Sequence, residues 1–118
     1  MLTRDAILAA DDLTVEAVEI PEWGGLVYMR TFQGKTRDNF ERVCTDKRRE
    51  QGQAFNNEGL RTLLAILTIC DEAGNLLFTE GDAEALNAKS AAAVDRIADV
   101  ALRLNRIGPA EVEALMGN

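Results

Sequence analysis

Side chains able to do chemistry are few in this chain, and they lack the company that chemistry needs. Two cysteines, Cys44 and Cys70, could supply thiolates, and two adjacent acid pairs, Asp11-Asp12 and Asp71-Glu72, could supply carboxylates for acid and base work. A zinc set or a cysteine nucleophile requires histidine near the sulfur, and the sequence contains none. Both cysteines lie in apolar patterns, which suits small buried hydrophobes. Without histidine the usual general base near neutral pH is also missing, so carboxylates or lysine would have to carry any catalysis. Adjacent acids on a turn point apart into water, whereas a catalytic pair must converge. The acid-rich segment from Asp71 fails as a calcium loop by position: its third ligand would be Ala73, its obligatory glycine Leu76 and its final glutamate Asp82. No phosphate loop, dinucleotide fingerprint or serine elbow occurs. The expectation is a protein with no catalytic residue, no metal and no cofactor.

The most informative residue stands out by its setting rather than by its reactivity. In Ile20-Pro21-Glu22-Trp23-Gly24-Gly25 the chain's one tryptophan stands between a proline and two glycines, which supply the φ restraint and the φ > 0 freedom of a tight reversal. Val15 to Ile20 and Leu26 to Phe32 on either side read as strands, which places Trp23 at the tip of a hairpin. There it either folds back over a small core or serves as a contact, since tryptophan is enriched at binding hot spots. The first strand alternates imperfectly, Val15 and Ala17 sharing one parity and Val18 and Ile20 the other, which predicts a bulge or a strand covered on both sides. In the second, Leu26, Tyr28, Arg30 and Phe32 share a face, Val27, Met29 and Thr31 line the other, and Gly34-Lys35 closes the strand as a turn.

The remaining elements follow from caps and periodicity. Thr3 caps a short helix over 4–10, small and prone to fray. Thr36 caps an amphipathic helix over 37–50, with Phe40, Val43 and Cys44 on its inner side and a charged outer face. Residues 51–59 read as an irregular, mobile connection. Leu60 to Cys70 has helical spacing first and β-branched alternation after, which predicts a strand from about Leu64. The turn-rich Asp71 to Asn75 and the apolar Leu76 to Phe78 then complete a second hairpin. Thr79-Glu80-Gly81-Asp82 forms a capping box before a short helix to Leu86. Ser90 caps the strongest helix, with Val94, Ile97, Ala98, Ala101, Leu102 and Asn105 on one stripe. Pro109 opens a closing helix with Val112, Leu115 and Met116 on its apolar side. The fold class is α+β, more helix than strand, with two short β-hairpins and a C-terminal helical half.

Composition bounds the setting. With 118 residues, 47% of them apolar and 28% charged, the chain reads as a single globular domain over 1–118. The longest apolar run, Leu63 to Cys70, is too short to cross a bilayer, and no signal peptide is visible, so no membrane partner is expected and the cytoplasm is the expected location. The net charge of −7 is unevenly spread: residues 1–29 carry one base and six acids, 30–61 eight bases and five acids, and 62–118 four bases and nine acids. Acidic ends argue against nucleic acid as the main ligand. The basic run Lys47-Arg48-Arg49 reads as a solvated helix face, or as a contact for an acidic partner or RNA.

Several local patterns occur in order: Ile20-Pro21-Glu22-Trp23-Gly24, the strand to Arg30, Arg37 to Glu41, Asp71 to Asn75 leading to Phe78, Asp82, and Leu104-Asn105. Over roughly Leu2 to Val112 the chain thereby resembles the tail assembly chaperones of long-tailed, non-contractile phages and prophages. The resemblance implies a non-enzymatic protein that binds the tape measure protein in the host cytoplasm before the tail tube polymerises, and that is absent from the mature virion. It also implies a longer product, made by programmed ribosomal frameshifting near the end of the short reading frame, whose added domain recruits tail tube subunits; this chain would be the short form. Met116-Gly117-Asn118 permits the slippery heptamer G GGA AAC, which places the candidate slip at Gly117 and Asn118. Trp23, Tyr28 and Arg30 on the hairpin are the candidate partner-binding residues, with a groove beside the Val94 to Asn105 helix as the other candidate surface. The rival reading from another class is an acidic interaction module, such as a nucleic-acid-mimicking decoy or antitoxin.

Overall fold

The structure, a computed structural model, describes residues 1–50 and 57–116, and the side chains of 1–46 and 59–115. Its centre is the first hairpin. Strands β1 (Val15–Ile20) and β2 (Gly25–Arg30) run antiparallel with Val15 opposite Arg30 and Ile20 opposite Gly25. One 3-10 turn over Pro21–Trp23 joins them, with Pro21 at its start where no N–H is needed. Gly24 follows at φ 73°, the left-handed region that a side chain resists, and its N–H donates to the Pro21 carbonyl at 3.1 Å. The register is unbroken, so the expected bulge in β1 is absent and the strand has one buried face, that of Val18 and Ile20. Val15 breaks the parity because a glycine turn packs on it from outside: a Cβ on Gly74 would lie 3.7 Å from Val15 Cγ2.

The segment Leu60 to Cys70 departs most from expectation. Helix α2 (Gly34–Glu50) is followed by α3 (Asn57–Thr68), which carries the helix through the predicted strand and leaves only Ile69–Cys70 as β3. The reason is a run buried on every side. Leu63, Leu64, Ala65, Ile66 and Leu67 are all apolar and all buried, and a stretch without a polar residue shows no diagnostic period. Buried Thr68 fits because its hydroxyl donates to the Leu64 carbonyl one turn back at 2.6 Å. β3 pairs with β2, Cys70 opposite Tyr28 and Ile69 opposite Met29, giving a sheet of order β1-β2-β3. The second hairpin is reduced to a tight turn, Gly74 N–H to Asp71 carbonyl at 3.0 Å, closed by a single bridge between Cys70 and Leu76.

Helix α2 also begins earlier than its expected Thr36 cap. The Phe32 N–H is taken by Asn105 Oδ1 at 2.7 Å, which ends the strand, and the Arg37 N–H already donates to the Gln33 carbonyl at 3.0 Å. Gly34-Lys35 is therefore helix rather than turn, and Thr36 is buried in the first turn. Of the predicted connection 51–59, residues 57–59 are the start of α3, while 51–56 lie outside the described residues, as do the side chains of Lys47-Arg48-Arg49.

The C-terminal half follows its caps. The Thr79 N–H donates to Asp82 Oδ2 at 2.8 Å in the expected capping box, a 3-10 turn over Glu80–Asp82 leads into α4 (Ala83–Asn87), and Ser90 caps α5 (Ala91–Leu104). Pro109 starts α6 (Pro109–Met116). α5 lies along α3, and α6 lies along α2. Between the helices and the inner sheet face the core closes around Ile20, Met29, Phe40, Leu64, Ile69 and Ile97. The first helix, α1 (Arg4–Ala9), stands apart: Thr3 caps it as expected, accepting from the Ala6 N–H at 3.2 Å, yet none of its residues is buried.

Candidate interaction surface

Trp23 is half-buried, packed against the edge of the core. Its ring also forms one wall of an open apolar cleft of about 270 Å³, which Phe78, Asp82, Ala85, Leu86 and Lys89 complete. Three short segments build that cleft, and each is fixed locally. The hairpin tip is held by the Gly24 turn and by Glu22, whose Oε1 accepts from Arg96 Nη2 of α5 at 3.1 Å. Phe78 immediately precedes the capping box, which sets the direction of α4 and brings buried Leu86 and exposed Ala85 round to face the tryptophan. Trp23 thus covers core, as one of its two readings had it, while the rest of its ring faces solvent.

Tyr28 and Arg30 are not part of that cleft. They lie on the outer face of the sheet, opposite Ala17 and Val15 respectively, while the intervening Met29 points into the core. The turn after β3 crosses this face, since Arg30 Nη1 donates to the Gly74 carbonyl at 2.7 Å and Gly74 lies against Val15. Arg30 is therefore a tie between sheet and turn. The same turn holds the Asp71 carboxyl below the usual carboxylate range, chiefly through the Asn75 N–H that donates to it at 2.9 Å. Burial pushes the neighbouring Cys70 thiol up, so it has the character of a buried hydrophobe.

The other residues that carry the family pattern are joints too. Asn105 accepts from the Phe32 N–H and donates through Nδ2 to the Ala101 carbonyl at 2.9 Å, coupling the end of α5 to the end of the hairpin. Arg37 reaches Glu41 at 3.0 Å and Glu111 at 2.9 Å, coupling α2 to α6. Asp82 completes the capping box. These residues of the pattern are largely the wiring that fixes element against element.

Part of the remaining surface is apolar. Leu2, Ile7 and Leu8 of the N-terminal arm are 71%, 56% and 69% exposed, and Leu26 at the hairpin is 63% exposed. Val94, Ile97 and Ala101 of α5 are consumed by the core, as their spacing predicted. Nothing in the sequence singled out Ala85 or Lys89; the one available hint was the capping box, which fixes the phase of α4. Among the described residues, no group of three or more cysteine or acidic side chains could hold a metal ion, and no helix is long and apolar enough to cross a membrane. Gly117 and Asn118 lie outside the described residues.

Comparison with known proteins converges on one family. No protein of curated function matches the chain. The structure is similar to that of the bacteriophage HK97 tail assembly chaperone, with a TM-score of 0.59 and 21% identity over 88% of this chain and 94% of the other. At that identity the likeness speaks for the fold. The sequence pattern of the phage tail assembly chaperones matches residues 3–114, nearly the whole chain, and the chain belongs to that family.

Proposed function

We propose that this chain binds the tape measure protein in the host cytoplasm, keeps it soluble until the tail tube forms around it, and is left out of the finished virion. Membership of the tail assembly chaperone family supports a role in assembly rather than catalysis. The observation that carries the holdase form of that role is the placement of large apolar side chains in water: Leu2, Ile7, Leu8 and Leu26 are each more than half exposed on a chain of net charge −7. A long helical protein whose apolar stripes await enclosure aggregates unless they are covered. Apolar surface can cover such stripes, and the acidic remainder keeps the complex in solution.

The decoy reading draws less support from the same surface. Glu16, Glu22, Glu41, Asp95 and Glu111 are each paired with an arginine of this chain, which spends charge that mimicry of nucleic acid would leave facing outward. Recruitment of tail tube subunits belongs, in this proposal, to a longer product made by slippage at Gly117 and Asn118. Reading the gene tests that part: a GGA codon at Gly117 followed by AAC permits the slip, and GGC or GGT there excludes it. For the main proposal, co-purification decides. The tape measure protein encoded nearby is expected to elute with this chain as one complex in gel filtration, and separate elution of two soluble proteins would contradict it.

A further inference from the structure

The cleft beneath the hairpin tip has a size and a charge pattern that specify an occupant. Its volume of about 270 Å³ falls below the roughly 300–1,000 Å³ of small-molecule sites, so it suits a single large side chain better than a free ligand. Trp23, Phe78, Ala85 and Leu86 line it with carbon, which makes that side chain apolar. Two charged residues stand at its edge, and they are not equivalent. The Asp82 carboxylate is already committed to the Thr79 N–H at 2.8 Å. Lys89, exposed and just past the end of α4, forms no ion pair among the described residues, so its ammonium is free to take a partner's carboxylate. The walls are set in advance by the left-handed Gly24, the Glu22 to Arg96 contact and the capping box, so little ordering remains to be done on binding.

We propose that this cleft receives one large apolar side chain of an amphipathic helix in the tape measure protein, with a carboxylate one turn away on that helix pairing with Lys89. The inference rests on the function proposed above and assigns its binding site. It is a helix-in-groove mode, in which residues three or four apart on the partner share the face that docks. Arg37, Arg61, Arg96 and Arg103 are not counted among the contacts, because their guanidinium groups already hold internal carboxylates.

The test uses the full chain co-expressed with the tape measure protein and compares four proteins by the amount of partner that co-purifies. Ala85 and Lys89 are exposed, so Ala85→Phe and Lys89→Glu change the cleft without touching the core, and thermal melts matching the parent establish that both fold. Ala85→Phe fills the cleft and is expected to weaken capture about tenfold or more, as loss of a central anchor does. Lys89→Glu is expected to weaken it about three- to tenfold, with the parent's capture more salt-sensitive than the variant's. Asp99→Ala, at an exposed position of α5 away from the cleft, is the control and is expected to capture like the parent. Parent-level capture by both cleft variants overturns the site while leaving the chaperone reading in place, as does loss of capture in Asp99→Ala alone. Failure of the parent itself to capture the tape measure protein overturns the proposed function and the site together.

Discussion

Helices α1 and α5 start in the same way and end in opposite circumstances. Each opens on a hydroxyl cap, Thr3 accepting from the Ala6 N–H at 3.2 Å and Ser90 from the Ala93 N–H at 3.5 Å, and each is rich in alanine and branched apolar residues. α5 buries Ala93, Val94, Ile97, Ala98 and Ala101, whereas α1 buries nothing. Capping and apolar content decide where a helix begins; they do not decide whether it is packed. Length and anchoring separate the two. α5 has 14 residues and is pinned near its middle by Arg96 to Glu22 and at its C-terminal end by Arg103 to Glu16 and Asn105 to Phe32. α1 has six residues, short of the roughly 12–15 at which an isolated helix becomes even marginal, and its apolar side chains face water. Apolar residues on α5 are therefore there for folding, and those on α1 are available to a partner.

That division can be broken from either side. The largest effect is expected at Ile97, fully buried at the centre of α5: Ile97→Ala should cost about 2–5 kcal/mol of stability in chemical denaturation. A loss under 1 kcal/mol would mean that the core does not close on α5. Asn105→Ala comes next, because it strips the Phe32 N–H and the Ala101 carbonyl of a half-buried partner; about 1–3 kcal/mol should be lost, with faster hydrogen exchange at Phe32. Arg106 should move stability the other way. It holds φ 54° just beyond α5, where the Ile107 N–H reaches back to the Leu102 carbonyl at 2.9 Å, a position that favours glycine. Arg106→Gly is expected to stabilise by about 0.5–1 kcal/mol, and destabilisation would show that the arginine side chain holds something at that corner. The smallest effect belongs to the arm: Ile7→Ser with Leu8→Ser should leave stability within about 0.5 kcal/mol of the parent, and a larger loss would place α1 in the fold after all.

Legibility followed the range of the interaction. Local signals came through: the Pro21 to Gly24 reversal, the caps at Thr3 and Ser90, the Thr79 to Asp82 box and the buried stripe of α5 are set by residues within a turn of one another. The helix through Thr68 did not, because the run Leu63 to Leu67 is apolar and buried all round, with no polar residue to reveal its period. Nor did the true start of α2, which depends on Asn105 capturing Phe32 from 73 positions away. The candidate site was half visible. Trp23 stood out by type and setting, but the cleft exists only once the hairpin tip, Phe78 and α4 meet, and no short-range rule places Ala85 and Lys89 beside a tryptophan more than 60 positions earlier. Arg30 and Asn105, conspicuous in the family pattern, proved to be joints whose partners are backbone groups of this chain.

The central claim is that apolar surface withheld from the core serves the tape measure protein. Its most direct test is solubility on co-expression: the tape measure protein is produced alone and together with this chain, and the soluble fraction is measured in each case. The account predicts that the protein is largely insoluble alone and is recovered in the supernatant when the chain is present. Equal solubility in both conditions would contradict it.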